Sequence, residues 1–160
     1  MASTERLDRI DILILRNLQQ NSNMTTKELA QRVSLSTTPV FERVKRLERE
    51  GYIKKYVAVL DMEKVNYGFV VFCNIKLRHI NNSIANDFTE AISKIEQVTE
   101  CYNISGDYDY MLKIHAANMK DYQHLVLDVL GKIDSIGDIQ SNFVLDVNKY
   151  EVGYLLPDPS

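Results

Sequence analysis

Apolar positions recur at helical spacing through the first fifty residues. Ile10, Leu13, Ile14 and Leu18 keep one face of a helix predicted from roughly Asp8 to Gln20, and Ile12 and Leu15 widen that face. The polar stretch Asn21 to Met24 breaks the pattern. Thr25 and Glu28 then form a T-x-x-E capping box, which predicts a second helix carrying Leu29, Ala30 and Val33 inward. Ser34-Leu35-Ser36 reads as a tight turn. A third helix follows through Glu50, opened by Ser36 or Thr38 as cap, with Pro39 in its first turn and Gly51 just past its end. Two short helices joined by a tight turn and braced by a longer one make a helix-turn-helix.

The period then changes. Tyr52 to Leu60 (YIKKYVAVL) is β-rich and predicts a wing, a linker strand or a strand that pairs in a dimer. Asp61 to Gly68 is polar and aperiodic, which places a linker at 61–68 between a domain at 1–60 and another at 69–160. Phe69 to Leu77 (FVVFCNIKL) predicts a buried strand. Ser83 is the expected cap of a helix to about Ile95, with Ile84, Phe88, Ile92 and Ile95 on its apolar face. Val98 to Ser105 is a second strand, Gly106-Asp107 a turn, and Asp109 to Ala116 a third strand. A helix is expected from about Met119 to Gly131, and a fourth strand from Ile139 to Val147. The order βαββαβ predicts a ferredoxin-like fold, a four-stranded antiparallel sheet with both helices on one face, so the whole chain is of the α+β class. Val70 and Phe72 leave the other sheet face partly apolar, and a partner subunit is the economical cover.

Composition changes this picture only in part. The chain has 160 residues, 45% of them apolar and 26% charged, the balance of a soluble globular protein. No apolar run is long enough to span a membrane, and the opening MASTERLDRID lacks a signal core, so a cytoplasmic protein is expected. Cys73 and Cys101 fit a reducing compartment and read as small core residues. The net charge of -3 hides an asymmetry: residues 1–60 carry 11 Lys or Arg against 7 acids, and residues 61–160 carry 8 against 15. The first part can face a polyanion; the second would be repelled by one.

The third helix carries the chemistry that such a division needs. Val40, Val44 and Leu47 fall on one side. The opposite side presents Thr38, Glu42, Lys45, Arg46 and Arg49, with Arg43 on the flank, and Thr37 and Arg43 are further candidates for DNA contact. An α-helix fits the major groove of double-stranded DNA, so Thr38, Glu42 and Arg46 are candidates for base edges. Lys45, Arg49, Lys54 and Lys55 are placed for phosphates. A charged ridge is often only a solvated face; here it coincides with a capping box and a short turn.

Catalytic patterns are missing from the sequence. His79, His115 and His124 have no metal-ligand spacing with one another or with the cysteines. Neither G-x-x-x-x-G-K-[ST] nor G-x-S-x-G occurs. Asp107 and Asp109 are set aside as an acid–base pair, and Tyr102, Tyr108 and Tyr110 read as sheet packing. A small enzyme or ligand-binding module that uses its helical part only for assembly is the alternative reading, and such a module would have no need of a basic ridge.

Four segments together resemble the Lrp/AsnC (feast/famine) family of transcription regulators: LDRIDILILRNLQQN (Leu7 to Asn21), ELAQRVSLS (Glu28 to Ser36), PVFERVKRLEREGYIKKY (Pro39 to Tyr56) and ISGDYDYMLKI (Ile104 to Ile114). The resemblance implies a winged helix-turn-helix DNA-binding domain followed by a ferredoxin-like amino-acid-sensing domain. It implies homodimers that assemble further, commonly into octamers, a nucleoid-associated role, and an amino acid effector, leucine or another apolar one, bound where dimers meet, with no other cofactor. A free amino acid presents an ammonium that seeks carboxylates or carbonyls and a carboxylate that seeks N–H donors. By spacing alone Gly106-Asp107 reads as an ordinary hairpin turn. By resemblance the effector-response loop falls on Gly106, Asp107 and Asp109, with Ile104, Ser105, Tyr108 and Ser141 beside them.

Overall fold

The computed structural model describes residues 7–151, 153 and 156. Residues 1–6, the first part of the stretch read for a signal core, lie outside the described residues. The described chain divides into two compact units, one within Met1–Val59 and Lys149–Ser160, the other Leu60–Asn148.

The first unit is helical. α1 (Arg9–Gln20) is capped by Asp8, whose side chain accepts the Asp11 N–H while the Asp11 side chain accepts the Asp8 N–H. α2 (Thr26–Arg32) opens on the expected Thr25/Glu28 capping box. α3 (Thr37–Arg49) has Ser36 at its N-cap, without a side-chain cap bond. Ser34, at φ 57°, makes the turn between α2 and α3, and Gly51, at φ 78°, ends α3 in the left-handed conformation that glycine adopts most cheaply. Ile14, Leu15, Leu29, Ala30, Val33, Val40 and Leu47 form the core. At the far end the described residues from Lys149 on, expected in the second domain, group with this unit, and Arg16 Nη2 donates to the Leu156 carbonyl at 3.0 Å.

Tyr52 to Leu60 forms no strand within the single chain. Tyr56, Val57, Val59 and Leu60 are all exposed there. The β propensity is present, but a strand needs a partner edge to satisfy its backbone groups, and among the described residues this segment pairs with none.

The second unit has the expected order. Its elements are β1 (Phe69–Leu77), α4 (Asn82–Ser93), β2 (Val98–Asn103), β3 (Tyr110–Ala116), α5 (Met119–His124) and β4 (Ile136–Phe143). The sheet order is β2-β3-β1-β4 with every pairing antiparallel. Val71, Cys73, Ile75, Leu77, Leu112 and Ile114 point from one face onto Phe88, Ile92, Tyr122, Leu125 and Leu130. Val70, Phe72, Asn74 and Lys76 alternate onto the other, where they are half-buried.

Four local expectations are corrected. Asn81, not Ser83, caps α4 by accepting the Ile84 N–H. The 61–68 segment is a folded turn of this unit, not a linker, with the Tyr67 N–H bonded to the Met62 carbonyl at 2.8 Å. The helix expected through Gly131 stops being α-helical at Leu125 and continues as a π turn (Leu125–Val129) and a 3-10 turn (Leu130–Lys132). Leu125 and Leu130 are both buried, and their five-residue spacing matches a π turn. Finally, β4 starts at Ile136 because Ile136 pairs with Leu77 beside an irregularity in β1.

Candidate nucleic-acid interface and effector loop

α3 presents an exposed ridge made of Thr37, Thr38, Phe41, Glu42, Lys45 and Arg49. The opposite side, Val40 and Leu47, is fully buried. Lys45 Nζ bonds Glu48 Oε2 at 2.8 Å and lies 5.8 Å from the centre of the Phe41 ring. Lys54 and Lys55 are exposed in the segment after Gly51. Tyr56 continues that segment and donates to Glu48 Oε1 at 3.0 Å.

Two arginines depart from the expected face. Arg46 Nη2 donates to Asp11 Oδ2 at 2.6 Å, and Arg43 Nη1 donates to Asp11 Oδ1 at 2.7 Å and to Asp8 Oδ2. The Arg46 side chain keeps only 18% of its exposure and that of Asp11 only 1%. Arg46, expected to reach base edges, is therefore turned against α1, and Arg43 follows it. The cause is a buried carboxylate: Asp11 sits in the first turn of α1, and a carboxylate taken out of water demands charged partners. Burial pushes the Asp11 carboxyl up, but the hydrogen bonds from Arg46, the Asp8 N–H and Arg43 outweigh it and hold it below the usual carboxylate range. Position on a helical wheel cannot distinguish a guanidinium aimed at solvent from one folded back on a neighbouring helix. Phe41 was missed for the converse reason: an apolar residue on an amphipathic helix reads as core, yet Phe41 is exposed.

The loop between β2 and β3 is the second site. Gly106 takes φ 117°, a conformation glycine reaches without strain, and no atom lies within 4 Å of where a Cβ would stand. Ser105, Gly106 and Asp107 are exposed, and Ile104 and Tyr108 are half-buried. Asp109 is buried and already committed: its Oδ2 accepts the Leu77 N–H at 2.7 Å, its N–H donates to the Ile75 carbonyl, and its carbonyl accepts the Ile104 N–H. Asp109, one of the expected effector residues, pins the loop to the end of β1.

Topology brings two unforeseen residues to this loop. Lys76 Nζ donates to the Asp107 carbonyl at 2.7 Å and lies 3.9 Å from Asp109 Oδ1. The Tyr108 hydroxyl donates to Asp138 Oδ2 at 3.3 Å. Burial and the Asp138 charge push that hydroxyl up, so it stays protonated. Alternation along β1 could have flagged Lys76 as facing away from the core; Asp138 needed the register of β4. Ser141 stands apart. It pairs with Cys73, and its hydroxyl bonds that of Tyr122 on the helix-covered side. Cys73 is buried as expected, whereas Cys101 is exposed. Of the tyrosines, Tyr110 packs on Phe88 at 4.7 Å between ring centres, while Tyr102 is half-exposed.

The geometry can be set beside known proteins. The family described as Lrp/AsnC ligand binding domain matches residues 70–153, and that described as winged helix-turn-helix DNA-binding matches residues 7–54. The leucine-responsive regulatory proteins of Klebsiella pneumoniae and Escherichia coli are each 37% identical over 140 residues, 88% of this chain and 85% of theirs.

The chain belongs to the Lrp/AsnC family.

Solved structures agree with that placement. A transcriptional regulator of Neisseria meningitidis in complex with L-Met superimposes with a TM-score of 0.87 at 36% identity, covering 91% of this chain and 94% of that one. An AsnC family transcriptional regulator from Agrobacterium tumefaciens gives 0.88 at 35% identity, covering 93% and 97%. This Lrp/AsnC protein is thus a DNA-binding transcription regulator with an amino-acid-binding domain, and its family is one of regulators, not enzymes. Among the described residues no group of three or more His, Cys, Asp or Glu could hold a metal ion, and no helix is long and apolar enough to cross a membrane.

Proposed function

We propose that the regulator lays the exposed ridge of α3 in the major groove and that an amino acid at the Ile104–Asp109 loop alters its assembly or DNA affinity. The observation that carries the reading is the ridge itself: Thr38, Glu42, Lys45 and Arg49 are all exposed on the side of α3 opposite its buried core, and Thr37 is exposed in the first turn. Thr38 and Glu42 lie near the N-terminal end of α3, where a recognition helix meets base edges. Lys45, Arg49, Lys54 and Lys55 neutralise phosphates. Arg43 and Arg46 act one step back, by fixing α3 against α1.

At the loop, the exposed backbone around Gly106 and the Asp107 carboxylate suit an ammonium, and Lys76 and the Tyr108 hydroxyl suit a carboxylate. Ile104 and Ser105 complete the rim, Asp109 positions it, and Ser141 supports the sheet behind. Relatives named for leucine, and one solved with L-Met, favour an apolar amino acid. The half-buried, partly apolar sheet face and the unpaired Tyr56–Leu60 segment favour a homodimer that assembles further, towards an octamer, on DNA in the cytoplasm and its nucleoid. A two-fold dimer sets two recognition helices about 34 Å apart, so half-sites are palindromic. Ligand changes assembly only through a difference in affinity between assembly states.

The test has two readouts on the full chain. Thermal-shift screening against the twenty amino acids should single out one or a few that raise Tm. Light scattering with and without that amino acid should then show a change of mass, or duplex titration a change of affinity. A chain that no amino acid stabilises would defeat the effector half of the reading; retention of DNA regardless of salt would defeat the other.

A further inference from the structure

We infer that Phe41 is a specificity-determining residue that reads thymine through its C5-methyl group; the inference rests on the reading that α3 enters the major groove. Phe41 is the fifth residue of α3 and the one large apolar side chain among the exposed described residues of that helix. Phe41 is 52% exposed, while Val40 beside it is fully buried. Its neighbours on the ridge are Thr37, Thr38, Glu42 and Lys45, all exposed. Lys45 Nζ stands 5.8 Å from the ring centre and is bonded to Glu48, so the cation borders the ring and leaves the rest of its surface open.

Groove chemistry selects the target. The floor of the major groove offers hydrogen-bonding atoms at all four bases and one apolar group, the methyl of thymine. A phenyl ring pressed on the polar edges would strip their water and return no hydrogen bond. Pressed on a methyl, it removes apolar surface of both partners from water. Phe41 lies between Thr38 and Lys45 on the ridge, between the proposed base-edge and phosphate positions, where a side chain of its length reaches the groove floor.

The experiment uses the full chain and a duplex enriched from a random pool. Each thymine of that duplex is replaced in turn by deoxyuridine, which lacks only the methyl. Binding is followed by fluorescence anisotropy for the wild type, Phe41→Ala and Phe41→Leu. At one thymine in each half-site the wild type should lose about threefold to fivefold affinity on deoxyuridine, the worth of one buried methyl. Phe41→Ala should show no further loss there, and Phe41→Leu an intermediate one, with Tm unchanged in both because the site is exposed. Equal losses in all three proteins at every thymine, or no loss anywhere in the wild type, would overturn the inference while leaving groove binding intact. A pool that yields no enriched duplex would overturn groove reading itself, and this inference with it.

Discussion

Asp11 and Arg46 are joined by a 2.6 Å hydrogen bond that fastens α3 to the first turn of α1. Asp11 also accepts from Arg43 and from the Asp8 N–H. The capping box of one helix is thereby the anchor of the next. Removing the carboxylate would leave two guanidinium groups without their buried partner. Asp11→Ala should therefore cost about 3–5 kcal/mol, which lowers the Tm of the N-terminal unit by about 10 °C or more. Calorimetry of the variant checks this, and an unchanged Tm would show that the cluster adds nothing.

The same carboxylate sets an acid limit. Its folded-state pKa is depressed, despite burial, by the Arg46, Asp8 and Arg43 hydrogen bonds. A depressed carboxylate contributes stability that is fully present above its unfolded value, about 3.9, and is lost as pH falls through the lower folded value. Denaturant titrations of the wild type should lose stability steeply below about pH 4. Asp11→Asn should be less stable at neutral pH but flatter across that range. Parallel curves would contradict the assignment.

Cations on the ridge and behind it should behave differently. Lys45→Ala and Arg49→Ala should weaken binding to all duplexes alike and reduce the salt slope by about 1 each, with Tm unchanged. Arg46→Ala should lose sequence preference and lower Tm together, since it acts by holding α3. Anisotropy titrations over a salt series, paired with melting curves, separate the two patterns. A salt-slope loss for Arg46→Ala without a Tm change would place that guanidinium on DNA after all.

The loop is tested at two positions. Gly106 has open space around it but φ 117°, so Gly106→Ala meets no clash and strains the backbone instead; about 1 kcal/mol of stability should go, and amino acid affinity with it. Asp107→Ala should blunt the effector response and spare DNA binding. Calorimetric titration with the stabilising amino acid measures both, and full affinity in Asp107→Ala would remove that carboxylate from the site.

The two thiols should differ in reactivity. Burial pushes the Cys73 thiol up and shields it entirely, while Cys101 is exposed. A thiol-specific reagent should titrate one group in the native chain and two in denaturant. Two reactive groups in the native chain would mean that the sheet core opens readily.

Amino-acid order alone determined the helix-turn-helix and the βαββαβ order. Those features are local: caps such as Thr25/Glu28, the apolar spacing of α1 and α4, and the period-2 alternation of β3 act within a few residues of themselves. The exposed positions of Thr38, Glu42, Lys45 and Arg49 were legible for the same reason. Tertiary structure decided what depended on a distant partner. Arg46 has a long, flexible stem, and a carboxylate 35 residues away chose its direction. Asp109 went to the backbone of β1, and Asp138 reached Tyr108, because strand pairing brought them there. Tyr52 to Leu60 carried the propensity of a strand and formed none, since propensity acts locally and a strand forms only where a second strand is brought beside it. Periodicity reports which way a backbone faces; only packing reports where a long side chain ends.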